Sequence, residues 1–192
     1  PAPAQVNETI CQILADTDSL KVHGYTSAVG DMSARQAIAD DLNSRYGTDI
    51  TPAELFIGGG AAAELCAVLK ALTFPGAKVL GLAPYFPEYK PFAEEAGLTF
   101  KVVPADVPGF QIKLEAVEAT MTRNTVAIII NSPNNPTGVI FPEADIAKLG
   151  ELLRAKEAEL GIDIYLITDE PYRKLVYGDV FVAYVPKHYA RT

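Results

Sequence analysis

The sequence predicts an α/β fold: a mostly parallel sheet with helices on both faces. Three observations lead there. Short runs such as "AKVLGL", "TVAIII" and "IDIYLI" are apolar almost throughout, as strands covered on both faces must be. Each leads into a turn rich in Gly, Pro, Asn or Asp, and helix-like segments alternate with the strands. The alternation runs on with no internal repeat, low-complexity tract or linker, so residues 1–192 read as one domain.

The elements follow in order. "AQVNETICQILADT" carries Val6, Ile10, Ile13 and Leu14 at helical spacing and predicts an amphipathic helix. "KVHGYTSAVGD" reads as a loop. "SARQAIADDLNSRYG" places Ala34, Ile38, Leu42 and Tyr46 on a fourfold repeat, with Gly47 as the stop. Thr51–Glu54, "TPAE", is a capping box limited to about one turn, because the strand-like "LFI" follows at once. Then come the helix of "GGGAAAELCAVLKAL", the strand "AKVLGL", the helix of "APYFPEYKPFAEEAG" and the strand "LTFKVVPA". The helix "KLEAVEATM", the strand "TVAIII", the long helix "EADIAKLGELLRAKEAEL" and the strand "IDIYLI" complete the series before "TDEPYRKLVYG".

Composition excludes several functions. The formal charge of -8 and the absence of Lys/Arg-rich segments argue against nucleic-acid or anionic-membrane partners. No apolar run approaches the roughly 20 residues of a membrane span. Cys11 and Cys66 read as buried free thiols of a reducing, cytoplasmic setting. With only His23 and His188 as histidines, a Cys/His metal site is disfavoured, and no Gly-x-Ser-x-Gly elbow supports a hydrolase.

Ligands of open parallel sheets bind beyond the carboxyl ends of the strands. Four loops are expected there: "GGGAAA", "APYF", "NSPNNPTG" and "TDEPY". The first offers the backbone amides of Gly60, Ala61 and Ala62 at a helix start, suited to a phosphate, or forms a tight turn with no ligand. Gly58, Gly60 and Ala63 also fit a dinucleotide fingerprint, but the acidic residue that fingerprint requires about 20 positions on is missing from "GLAPYF". Tyr85 and Phe86 could stack on a planar ring or pack in the core. Asn131, Asn134 and Asn135 offer flat amides in a loop stiffened by Pro133 and Pro136. Asp169 ends a strand, where it either faces a ring nitrogen or caps the next turn.

"NSPNNPTG" followed by "DEPY", with "GYTSAVGDMSARQAIADDL" and "FPGAKVLGLAPYFPEY" upstream, resembles the fold-type I pyridoxal-phosphate enzymes, specifically the class I/II aminotransferases. The likeness extends over nearly the whole chain. It implies that the chain belongs to the family's cofactor-binding large domain and that pyridoxal 5'-phosphate is the cofactor. By the same resemblance Gly60, Ala61 and Ala62 would cradle the phosphate and Phe86 would stack on the ring. Asn135 and Tyr172 would bond its phenolic oxygen, and Asp169 would face its nitrogen. Tyr25 would reach the phosphate of the neighbouring subunit's cofactor across a homodimer with a shared active site, and Arg35 is read as structural. A carboxylate keeps the ring nitrogen protonated, which deepens the electron sink. The stiff loop would hold Asn135 ready for the ring, and the Asn135–Pro136 bond is expected to be cis.

The implied reaction passes an amino group from an amino acid to a 2-oxo acid. The same cradle would also serve a lyase, decarboxylase or cyclising enzyme, or a ligand-sensing module of a regulator. Three departures from the family stand out. "GGGAAA" lacks hydroxyl or amide side chains, and Ala77 replaces the frequent Asp of "PGD". No Ser-x-x-Lys, the segment through which the family attaches its cofactor, occurs, and Lys174 and Lys187 sit in the wrong context. Both ends are therefore expected to be cuts, with the lysine segment and the small C-terminal domain lying outside the chain. A polypeptide ending at Thr192 is expected not to transaminate.

Overall fold

The computed structural model describes residues 2–192, and they form two compact units, one ending at Gly58 and one spanning Gly59–Thr192. The first holds helices α1 (Ala4–Asp16), α2 (Ser19–His23) and α3 (Met32–Tyr46), followed by a 3-10 turn at Pro52–Glu54. Asp31 caps α3 by accepting from the amides of Ser33 and Ala34, and Gly47 closes it in the left-handed conformation expected of a stop. The capping box forms as predicted, with Glu54 accepting from the Thr51 amide at 2.8 Å.

The helices of this unit form where expected, whereas the burial of Cys11 and the strand at "LFI" do not follow. The α3 residues buried most deeply are Arg35 and Ala39, whereas Ala34 and Ile38 are exposed. Polar ties hold the helix on a neighbouring face: Arg35 donates to the Pro52 carbonyl at 2.7 Å and Asn43 to that of Ile50 at 2.8 Å. The apolar stripe of α1 forms, yet Val6, Ile10, Ile13 and Leu14 stay 43–54% exposed. Cys11, on the same helix, is exposed and not buried; both cysteines are free thiols. "LFI" joins no ladder; Ile57 makes a single backbone bond to Val29, and an apolar triplet without a strand partner stays irregular.

The second unit is built on four parallel strands in the order β2-β1-β3-β4: β1 (Lys78–Leu82), β2 (Thr99–Val103), β3 (Thr125–Asn131) and β4 (Tyr165–Asp169). Helices α4 (Ala61–Ala71), α5 (Tyr89–Ala96), α6 (Leu114–Thr120) and α7 (Glu143–Leu160) cover both faces. Alternation along the strands divides the core. Leu80, Ile128, Ile130 and Leu166 meet Val117 of α6 and Leu149 and Leu153 of α7. Val79, Ala127 and Ile129 meet Leu65 and Leu69 of α4 and Ala93 of α5. All seven residues of β3 are buried, and its three consecutive isoleucines contribute about 1.5–3 kcal/mol each. Gly81 is glycine because a Cβ there would lie 2.3 Å from Cζ of Phe100.

The chain steps from β1 outward to β2, then crosses back to β3 on the other side of β1. That reversal opens a crevice at the carboxyl ends of β1 and β3. No helix among the described residues is long and apolar enough to cross a membrane.

Candidate active site

All four expected loops reach that crevice. A cavity of about 230 Å3 is lined by Ala61 and Ala62 from the first, Phe86 from the second, Asn131 and Asn135 from the third, and Asp169, Pro171 and Tyr172 from the fourth. Of the residues expected at the site, Ala61, Ala62, Phe86, Asn135, Asp169 and Tyr172 are thus brought together, and Gly60 is the residue directly before α4. Tyr25 belongs to the unit ending at Gly58 and stands fully exposed.

Each wall has a local cause. Gly60, at φ 115°, turns the chain into α4 through a conformation that residues with a Cβ avoid. Its carbonyl accepts from Ala63 and Glu64, while the amides of Ala61 and Ala62 have no acceptor among the described residues. A Cβ on Gly59 or Gly60 would meet nothing within 4 Å, so open space surrounds the turn. Helix starts of this kind favour anions.

After β1, Tyr85 packs on Phe100 with ring centroids 4.9 Å apart, which leaves Phe86 to line the cavity. The edge of Phe86 is held by Tyr89, 5.6 Å away in a T-shaped pair. Tyr89 opens α5, is 1% exposed and donates its hydroxyl proton to Oδ2 of Asp169 at 2.6 Å. Burial, reinforced by the Asp169 carboxylate, pushes the Tyr89 phenol well above the usual range, so the proton stays on tyrosine. The second oxygen of Asp169 accepts nothing among the described residues.

The asparagines divide the work. Asn131, 4% exposed, donates to the Asp169 carbonyl at 2.8 Å and accepts from the Asn135 amide at 2.6 Å, tying the ends of β3 and β4 together. Asn134 braces the loop: its amide donates to the Pro84 carbonyl at 3.3 Å, and its oxygen accepts from the Thr137 hydroxyl at 2.7 Å. Asn135 is left to line the cavity. The Asn135–Pro136 bond is cis, as expected, and so is Ser132–Pro133. Sequence reasoning missed Tyr89 and Pro171 and gave Asn131 no structural duty. A signal existed for Asn131, a polar residue closing a fully apolar strand. None pointed to the pairing of Tyr89 with Asp169 across 80 positions.

An aromatic wall, a carboxylate with one open oxygen, side-chain amide and phenol groups, and unengaged amides at a helix start fit a flat, phosphorylated, nitrogen-containing ring. A family model described as aminotransferase class I and II matches residues 4–190. A probable aspartate/prephenate aminotransferase of Thermus aquaticus is 36% identical over 159 residues, 80% of this chain and 39% of that protein. An S-alkyl-thiohydroximate lyase of Arabidopsis thaliana is 33% identical over 83% of this chain and 33% of its own length. Among solved structures, an amino transferase of Eubacterium rectale superposes with a TM-score of 0.97 at 45% identity, covering 100% of this chain and 48% of that one. The aspartate aminotransferase of Thermotoga maritima gives 0.86 at 33% identity, covering 96% and 47%. The chain spans well under half the length of the curated relatives it matches.

Proposed function

This chain belongs to the class I and II aminotransferases, and from that premise we propose that its cavity holds pyridoxal 5'-phosphate and serves the transfer of an amino group from an amino acid to a 2-oxo acid. When bound, that cofactor supplies the electron sink for chemistry at the substrate's α-carbon. The open oxygen of Asp169 keeps a proton on the ring nitrogen, while Tyr89 holds the other oxygen and sets the carboxylate's orientation. Asn135 and Tyr172 bond the phenolic oxygen and Phe86 stacks on the ring. The amides of Gly60, Ala61 and Ala62 receive the phosphate through backbone alone, because the "GGGAAA" turn has no side-chain donors. In the complete, cytoplasmic protein, a homodimer, Tyr25 of one subunit reaches the phosphate site of the other. Residues 1–192 form the cofactor-binding part of the large domain.

The observation that carries this reading is the convergence of four loops, each with a different chemical tool, on one cavity beside Asp169. The test is an absorbance scan of the complete protein with the cofactor, before and after an amino acid and a 2-oxo acid are added. A new amino acid in the products supports transfer. Failure to retain the cofactor would refute the proposal outright. The similarity to a lyase keeps a second reaction on the same scaffold in view, and release of ammonia without a new amino acid would favour it.

A further inference from the structure

We propose that Arg173 is a positioning residue of the cofactor site: its guanidinium clamps the turn that carries Tyr172 and so keeps the Tyr172 phenol on the cofactor's phenolic oxygen. The inference rests on the reading above and adds to it a residue that does not line the cavity. Its neighbours Pro171 and Tyr172 do line it. The turn is short: the Arg173 amide donates to the Glu170 carbonyl at 3.2 Å, and the Leu175 amide to the Tyr172 carbonyl at 2.8 Å. Across it the guanidinium grips both oxygens of the Glu170 carboxylate, Nε donating to Oε2 at 2.6 Å and Nη2 meeting Oε1 at 2.6 Å. Thr168, beside Asp169 on β4, donates its hydroxyl to the same Oε1 at 2.8 Å, which ties the pair to the strand end.

The guanidinium is anchored on its other edge as well. Nη1 donates to the Val182 carbonyl at 3.0 Å and Nη2 to the Ala183 carbonyl at 2.8 Å. Val182, Ala183 and Tyr184 are buried, and Ala183 belongs to the same core as Leu149 and Leu166. The guanidinium carbon stands 5.9 Å from the centroid of the Tyr184 ring. The side chains of Arg173 and Glu170 are only 16% and 20% exposed, unlike those of a loose surface pair. A planar fork is used on two edges at once, and a lysine cannot reproduce that geometry. The clamp is complete within residues 168–184 and joins the end of β4, the turn and the core. Removing it leaves the turn to its backbone bonds, and Tyr172 loses its fixed place.

The experiment follows the cofactor's absorbance against pH in the complete, cofactor-loaded protein. A donor on the phenolic oxygen stabilises its anionic form and so lowers the midpoint of that titration. Tyr172→Phe is expected to raise the midpoint by about 1–2 pH units. Arg173→Gln is expected to raise it by roughly half as much, and to add nothing in the Tyr172→Phe background, because it acts through that phenol. Arg173→Lys keeps the charge but not the fork and should move the midpoint the same way; it takes the place of the glutamine variant if that protein does not fold. A midpoint unmoved by either Arg173 variant overturns the inference, as does a shift that persists undiminished in the Tyr172→Phe background. A lysine variant that matches the parent while the glutamine variant shifts also overturns it, since charge and not placement then accounts for the effect. A protein that retains no cofactor, or whose midpoint Tyr172→Phe leaves in place, refutes the functional reading beneath it, so the two failures are distinguishable.

Discussion

Replacing Tyr89 with Phe removes one oxygen atom and little else. The ring stays between Phe86 and the core, so no cavity opens. What is lost is a 2.6 Å bond to a carboxylate. Hydrogen bonds to charged groups contribute about 1.5–3 kcal/mol net. Asp169 is only half-buried, and water can replace part of the bond, so a loss of about 1–2 kcal/mol is expected. Urea denaturation of the intact protein measures it. The pH dependence has a definite sign. Tyr89's folded-state pKa is raised, so its contribution is complete below the ordinary tyrosine value of about 10 and fades as the pH rises past it. Cofactor retention should weaken as well, because Asp169 loses the contact that orients it. Tyr89→His, which can still donate, should recover part of both effects. A Phe variant as stable as the parent at neutral pH, with unchanged cofactor affinity, would refute the role given to this tyrosine.

Other perturbations follow from the same geometry. Asn131→Ala deletes two hydrogen bonds and should cost about 2–3 kcal/mol in thermal or urea unfolding, with weaker cofactor retention. Gly81→Ala drives a methyl into Phe100 and should destabilise the sheet by about 1–3 kcal/mol, read by denaturation with the fold checked by circular dichroism. Asp31 caps α3 with its carboxyl held below the usual range, chiefly by the Ser33 hydroxyl and then by the amides of Ala34 and Ser33. That cap is present above the ordinary carboxylate pKa and is lost as the pH falls through the lowered value; amide exchange at Ser33 and Ala34 should rise on acidification, and Asp31→Asn should flatten the response. Asp169→Asn should lower cofactor affinity while leaving the fold intact, measured by equilibrium dialysis against the cofactor.

What could be read in the sequence was local or periodic. The inner strands β1 and β3 declared themselves through largely apolar runs, because strands buried on both faces tolerate few polar residues. The edge strands β2 and β4 carry exposed positions and were legible from their alternation with helices and glycine stops. The gathering of the site followed from topology, since loops at one edge of a parallel sheet have nowhere else to converge. The failures came where partners decide. "LFI" is strand-like in composition, but a strand needs a neighbour, and none pairs with it among the described residues. The fourfold stripe on α3 announced the helix but not its most buried residue, Arg35, whose bond to the Pro52 carbonyl is set by a distant partner. The pairing of Tyr89 with Asp169 left no periodic trace, because it joins a helix start to a strand end on opposite sides of β3 in the chain.

Asn131 has one further consequence. With its amide on the Asp169 carbonyl and its oxygen on the Asn135 amide, a single short side chain works as a rivet through both strand ends. Thermal displacement of one tool then drags the other, and their spacing survives jolts that would separate independent loops. A ring arriving at this rim meets a gauge of constant width. At the glycine turn before α4 the same ring meets bare backbone with open space beside it.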